Sequence, residues 1–536
     1  MTRREGVQLA ALLVAAAALY VTHSFLRYAT YEAKGYDLGI FDQVVRQYAL
    51  FNAPLSSVKG VDFHILGDHF HPILALLAPF YWVWPDPRML GVVMALALAA
   101  SAVPVYLFAR RRTGHGVALA AVAALLLSWP FQAMVNWDFH EVTLGVPILA
   151  WLVWALDGQR AWLATGLAAL LLTVREDMGV TLLAVALVMA IRRFWPQAAV
   201  TAVLGVLGYW FATSVVIPHY SPTGAFGYWQ FTALGPDMRS SVLFLLTQPW
   251  NAVAVLFDHP LKVALWLLHF VPLLFLPVLS PLTLMALPIL LSRLFNDRLN
   301  VWAPVYQYDA ILAPLLLMAA LEAAHRLAGR RDALRRLPAV LVSTALAAGL
   351  IGTAFFPQVY PLHRTIVGDM TMTQHARDLD HAVGLIPDGV CVEAADNAVP
   401  HLTARTHVGL HGDIGDELAT WMIVDTSVPE LGGWDPLTPE QALARAGMTV
   451  ADMDLYEINE AFAVQVLASA DDLKLDHDKL NKHGGAIALG HPFGMTGARI
   501  TATLLNGLQT VDGTFGLETM CVGGGQGMAI IYERLS

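Results

Sequence analysis

The sequence predicts a polytopic α-helical membrane protein of about ten to twelve spans, then a small extracytoplasmic α/β tail and a partial α/β domain. Three observations carry this reading. Hydrophobic residues make up 57% of the 536 residues and charged residues only 14%, against about a quarter in an ordinary soluble domain. Long stretches up to about Phe356 are nearly free of charge, whereas Asp, Glu, Lys and Arg recur at globular density beyond Pro357. Near the C-terminus, Gly-rich turns separate short strand-like and helical runs.

A helical crossing takes about 20 mostly apolar residues, and only helices or closed barrels hide their backbone polar groups in hydrocarbon. Candidate spans centre on 7–25, 89–109, 117–133, 142–156, 161–174, 180–191, 198–218, 262–279, 281–295, 310–325 and 338–356. The first apolar run, Val7 to Val21, is longer than a signal-peptide core, and Thr22-His23-Ser24 makes a poor cleavage site, so it reads as a retained span. Arg3-Arg4, Arg110-Arg111-Arg112, Arg160, Arg192-Arg193 and the run from Arg326 to Arg336 fall on one side if the spans alternate. Basic clusters stay cytoplasmic, which puts the N-terminus inside and everything from Pro357 onward outside. The outer loops are then 26–71, 134–141, 175–179, 219–240 and 296–309.

The domain plan is a membrane domain over 1–356, an extracytoplasmic α/β tail over 357–434 and a further α/β segment over 438–536. Val390-Cys391-Val392 and Met422-Ile423-Val424 read as short strands of the tail, and Leu431 to Pro436 is turn chemistry at the boundary. The net charge of −10 lies largely in the soluble end and implies no basic partner. Two cysteines without metal-ligand spacing exclude a disulfide framework and structural zinc, and no basic footprint for nucleic acid occurs.

The outer loops hold the chemistry-bearing residues of the membrane part. The first carries Tyr36-Asp37-Leu38-Gly39-Ile40-Phe41-Asp42-Gln43 and Gly67-Asp68-His69-Phe70-His71-Pro72; later ones carry Trp137-Asp138-Phe139-His140-Glu141 and Arg175-Glu176-Asp177. Asp37 can N-cap the helix that follows it or serve a reaction. His69 and His71 share a face only in extended structure. Arg175 can pair locally with Glu176 and Asp177, yet ionisable residues at membrane depth default to function.

With Val399-Pro400-His401-Leu402 in the tail, these motifs make residues 20–430 resemble a family of bacterial membrane proteins, the DUF2079 family. That family looks related to multi-span glycosyltransferases that use lipid-phosphate sugar donors. The resemblance implies a polyprenyl-phosphate sugar as partner and an acidic residue of the first outer loop in catalysis, Asp37 first and Asp42 second. That acidic residue binds a divalent metal or activates the acceptor, with Asp37 as the candidate ligand by resemblance and His69 and His71 as candidates by residue type. A carboxylate there takes an acceptor hydroxyl proton or holds a metal against a departing phosphate.

From about Thr438 a second resemblance begins. Asn459-Glu460-Ala461-Phe462, Gly490-His491-Pro492 and Cys521-Val522-Gly523-Gly524-Gly525 stand in the order and spacing of the C-terminal part of a thiolase, the acyl-CoA acetyltransferase family. By that resemblance His491 activates a nucleophilic cysteine, Asn459 holds a water, Cys521 moves a proton at the substrate α-carbon, and the Gly523 N–H binds an oxyanion. The substrate would be a coenzyme A ester. The half carrying the nucleophile is missing, and Gly389-Val390-Cys391-Val392-Glu393 is not its setting. The leading expectation is therefore a lipid-linked sugar transferase in the cell membrane, with an idle thiolase remnant. The alternatives are a membrane-tethered acyltransferase completed by a thiolase partner chain, a non-enzymatic envelope protein, and two genes joined between Trp434 and Thr438.

Overall fold

The computed structural model describes residues 1–414, 419–425, 449, 452–472, 474–491, 495–523 and 526–534. The expected turn at Leu431–Pro436 and the join between Trp434 and Thr438 lie outside the described residues. The chain forms two compact units: residues 1–33, 40–56 and 62–371, and residues 34–39, 57–61 and 372–536.

The first unit is helical. Arg3–Ala29 opens it with a capping box: the Thr2 hydroxyl accepts the Glu5 N–H, and the Glu5 carboxylate accepts the Thr2 N–H. Six helical segments among the described residues are long and apolar enough to cross a membrane: Arg3–Ala29, Arg88–Arg110, His115–Trp137, Trp195–Tyr220, Gln307–Arg330 and Asp332–Phe355. A seventh results if Pro249–Val255 and Pro260–Phe270, bent by 86°, form one broken span.

The expected ten to twelve spans are thus not all full-length helices. Val142–Asp157 has 16 residues and Ala161–Leu171 has 11. At 1.5 Å per residue, 16 residues reach only about 24 Å of a core about 30 Å thick. The 281–295 run divides into a 3-10 turn and the eight-residue helix Leu287–Leu294. Hydropathy registers an apolar run whether or not its helix is continuous, and proline at a helix start marks where such runs break. Helices such as Val142–Asp157 are apolar on all sides because neighbouring helices bury them. Basic groups pair with acids from other helices, Arg110 with Glu5 at 3.1 Å, Arg111 with Asp157 at 3.1 Å and Arg192 with Glu322 at 2.8 Å.

The second unit holds two small sheets. Strands β1 (Cys391–Ala394), β2 (His407–Gly409) and β3 (Trp421–Ile423) form a parallel sheet in the order β2-β1-β3. Cys391 pairs with His407 and Val392 with Trp421. The helix Gln374–Leu385 precedes β1, its Thr373 hydroxyl accepting the Ala376 N–H at 3.1 Å. Strands β4 (Leu455–Ile458), β5 (Phe515–Gly523) and β6 (Gln526–Glu533) form the other sheet, parallel between β4 and β5 and antiparallel between β5 and β6. A parallel pair needs a long crossover, and helices Ala463–Asp472 and Thr496–Val511 lie within it. Leu504 and Leu508 of the latter pack on Leu455, while Met453, Tyr456, Ile458, Val466, Ala470 and Leu475 make a second apolar cluster.

Candidate functional site

In the helical unit, residues of the outer-loop motifs meet around Phe41. Its ring makes edge contacts with His71, Phe139 and His140 at centroid distances of 6.0, 5.6 and 5.2 Å. His71 leads into the turn Pro72–Leu77, Glu141 into the helix Val142–Asp157, and Glu176 and Asp177 into the helix Met178–Ile191. Each polar group therefore sits just ahead of an apolar segment that anchors it.

His69 Nδ1 lies 2.8 Å from Glu176 Oε1, and the Phe70 N–H donates to Glu176 Oε2 at 3.0 Å. Burial alone depresses an imidazole, but the Glu176 carboxylate overcomes it and holds His69 up at about 9. His71, its ring centroid 6.4 Å away, is pushed down to about 4 by burial, and its Nδ1 has no hydrogen-bond partner among the described residues. One imidazole is charged and its neighbour neutral at pH 7. Environments that drive neighbouring pKa values apart mark acid and base roles.

Glu141 is fully enclosed, with His140 Nδ1 at 2.5 Å and Arg175 Nη1 at 3.8 Å. Burial raises a carboxyl, yet its neighbours His140 and Arg175 hold Glu141 well below the usual range. Arg175 makes its close local pair with Asp177, Nε to Oδ1 at 3.0 Å, whereas Glu176 turns to His69. Asp42 is 0% exposed; Arg46 donates to both its oxygens at 3.1 Å, and the Tyr81 hydroxyl donates to Oδ1 at 2.7 Å.

Asp37 belongs to the second unit, in the turn Gly35–Gly39 that precedes the helix Ile40–Ala49. The turn docks on Asp396, just past the carboxyl end of β1. The Tyr36 N–H donates to Asp396 Oδ1 and the Gly35 N–H to its carbonyl, both at 2.7 Å. A Cβ at Gly35 would lie 2.5 Å from Val399 Cβ, which is why glycine stands there. Burial holds the Asp396 carboxyl above its ordinary value. Asp425, past the end of β3, accepts from Asn397 at 3.3 Å and lies 3.2 Å from His375 Nε2, and that hydrogen bond raises His375. Parallel sheets bind ligands at the carboxyl ends of their strands. Sequence reasoning did not single out His375 or Asp425; the signal was an aspartate two residues beyond β1 and beyond β3.

Among the described residues no group of three His, Cys, Asp or Glu side chains is arranged to hold a metal ion. Of the expected ligands, His69 lies against Glu176 and Asp37 belongs to the turn of the other unit.

In the C-terminal sheet the Asn459 N–H donates to the Thr519 carbonyl at 2.8 Å, tying the end of β4 to the strand that carries Cys521 and Gly523. Glu460 Oε2 accepts the Ile487 N–H at 2.7 Å, which brings the second motif segment to the first. Asn459 is 2% exposed, and neither of its amide atoms has a hydrogen-bond partner among the described residues. His491 Nδ1 lies 2.6 Å from the Thr496 hydroxyl. Pro492, Gly524, Gly525, and the side chain of Cys521 lie outside the described residues. Phe462, Val464, Ile487 and Leu489 are all more than half exposed.

The profile described as "Predicted membrane protein (DUF2079)" matches residues 27–423. The chain belongs to the DUF2079 family. A second profile, "Thiolase, C-terminal domain", matches residues 420–534. Over 109 residues this DUF2079 protein is 54% identical to "Acetyl-CoA acetyltransferase" of Escherichia coli (strain K12), a match covering 20% of this chain and 28% of that relative's length. Among solved structures it is similar to human mitochondrial 3-ketoacyl-CoA thiolase, alone and in complex with CoA. Each match has 48% identity and a TM-score of 0.18, over 18% of this chain and 25% of that chain. The chain is thus a DUF2079 membrane protein carrying a thiolase C-terminal fragment that spans about a quarter of the relatives it matches.

Proposed function

We propose that the DUF2079 part is a transferase that moves a sugar from a lipid-phosphate donor to a hydroxyl acceptor, and that the thiolase-like piece is idle. The observation that carries it is the convergence of ionisable groups from separate loops around Phe41, which few structural roles require in a membrane protein. In this reading Asp37 takes the acceptor proton as the new glycosidic bond forms, and the bond from sugar to phosphate breaks with the phosphate leaving as an anion. Within the helical unit, charged His69 and Arg175 offer cations to an anionic group. The N-terminus is cytoplasmic and the tail extracytoplasmic, on the basis of the basic clusters.

The test is product formation in vesicles holding the full chain, a polyprenyl-phosphate sugar and an alcohol acceptor. Glu176→Gln, which leaves His69 without its carboxylate, lowers the rate about 100-fold. An unchanged rate would remove the proposal.

A second reading rests on the pairing of β4, which leads into Asn459, with β5, which carries Cys521, and on the apolar side chains exposed near the first two motifs. A separate chain supplying the missing nucleophile half would cover that face and complete an acyltransferase. Thiolysis of acetoacetyl-CoA by the full chain mixed with an N-terminal thiolase half tests it; no rate above the separate components ends it.

A further inference from the structure

The helical unit contains a partly open recess, lined mainly by apolar side chains, that no transfer chemistry uses. Small side chains create it: Ala313 from the helix Leu312–Arg330, and Ala345 and Ala348 from the helix Leu337–Phe355. Both helices belong to segments long and apolar enough to cross a membrane, so hydrocarbon surrounds them. Three of the polar groups at its edge are bonded within the protein. The Ser128 hydroxyl donates to the Leu125 carbonyl at 2.6 Å, the Trp129 indole N–H donates to the Leu268 carbonyl at 3.2 Å, and His269 Nε2 lies 2.8 Å from Asp309 Oδ1. Tyr360 turns its ring onto Gly352, where a Cβ would meet ring carbons at 2.4 Å.

These facts decide what fits. A buried water needs about two to four polar partners, and a polar ligand without them incurs its full desolvation cost. Empty space against aliphatic walls forfeits the dispersion contacts that close packing supplies. An alkyl chain satisfies the walls and asks for no hydrogen bond, and the surrounding bilayer supplies acyl chains at solvent concentration. We propose that this recess holds an acyl chain of a bilayer phospholipid. The inference stands on the membrane assignment and is independent of the sugar-transfer reading.

The test is photo-crosslinking of the full chain in phosphatidylcholine vesicles containing a phospholipid with a diazirine on one acyl chain, with adducts mapped by peptide mass spectrometry. Adducts are expected at Leu316 and Leu317 in the recess as well as at Leu350, which is 54% exposed. Ala348→Phe fills the space and lowers the recess adducts about tenfold or more, while those at Leu350 persist. Ala313→Leu, on the other helix, repeats the test should the first variant not insert and fold. Recess adducts absent from the native chain, or unchanged in the filled variants, would overturn the proposal. So would labelling of the recess by an isoprenoid-chain probe alone.

Discussion

His69 and Glu176 stand 107 positions apart in the chain and 2.8 Å apart in space. Their pairing links the loop before Pro72 to the loop before Met178, and it keeps His69 protonated to about pH 9. Because the folded value lies above the ordinary 6.5, the pair's stabilisation is fully present below about pH 6.5 and is lost as pH rises through 9. Glu176→Gln leaves the buried Phe70 N–H and His69 with a weaker acceptor and destabilises by about 1–3 kcal/mol. It also flattens the alkaline limb. Chemical denaturation in detergent between pH 6 and 10 reads both effects, and an unaltered pH profile would refute the assignment.

Arg175 lies beside enclosed Glu141 and is the close partner of Asp177. Arg175→Ala strips a buried carboxylate of part of its charge balance and costs about 3–5 kcal/mol. Arg175→Lys restores little, since an ammonium cannot reproduce the two-point contact with Asp177. Midpoints for the two variants within error of each other and well below the native chain are the expected result.

The close approach of the Gly35–Gly39 turn to Val399 gives a double-variant prediction. A Cβ at Gly39 lies 2.9 Å from Val399 Cγ1, so Gly39→Ala destabilises by about 1–3 kcal/mol through overpacking. Val399→Ala removes that carbon, and the pair of changes is then less harmful than the sum of the singles. Strict additivity in thermal unfolding would show that the turn does not dock there.

Membrane segments were legible in the sequence because hydropathy is a local property: Arg88–Arg110 and Leu337–Phe355 fall within one or two residues of the expected 89–109 and 338–356. The strands Cys391–Ala394 and Trp421–Ile423 were legible for the same reason, in the apolar runs Val390-Cys391-Val392 and Met422-Ile423-Val424. What was not legible is who meets whom. Glu176 looked like a partner of adjacent Arg175 and instead takes His69, while Tyr36 finds Asp396 across 360 positions. Asp42 looked like a second catalytic acid, but its surroundings of Arg46 and Tyr81 depend on how two helices pack. Span length failed where prolines and 3-10 turns break an apolar run that composition alone cannot divide.

In the C-terminal sheet, Glu457 and Glu518 pair across β4 and β5 and are both buried. Burial pushes each up to about 7 from 4.5. Raised carboxyls stabilise the fold below the unfolded value, so that contribution is complete under pH 4.5 and fades as pH rises through 7. Amide hydrogen exchange of Leu455–Ile458 in the full chain should accelerate between pH 5 and 8 beyond the intrinsic rate. Glu518→Gln, which still accepts from the Thr501 and Tyr532 hydroxyls, should reduce that excess.

Glycolipid formation in membranes carrying the native chain, Asp37→Asn or Cys521→Ala tests the division of labour most directly. The account predicts that Asp37→Asn lowers product by about 100-fold or more while Cys521→Ala leaves it unchanged. Product from Asp37→Asn equal to the native chain, or its loss in Cys521→Ala, would contradict it.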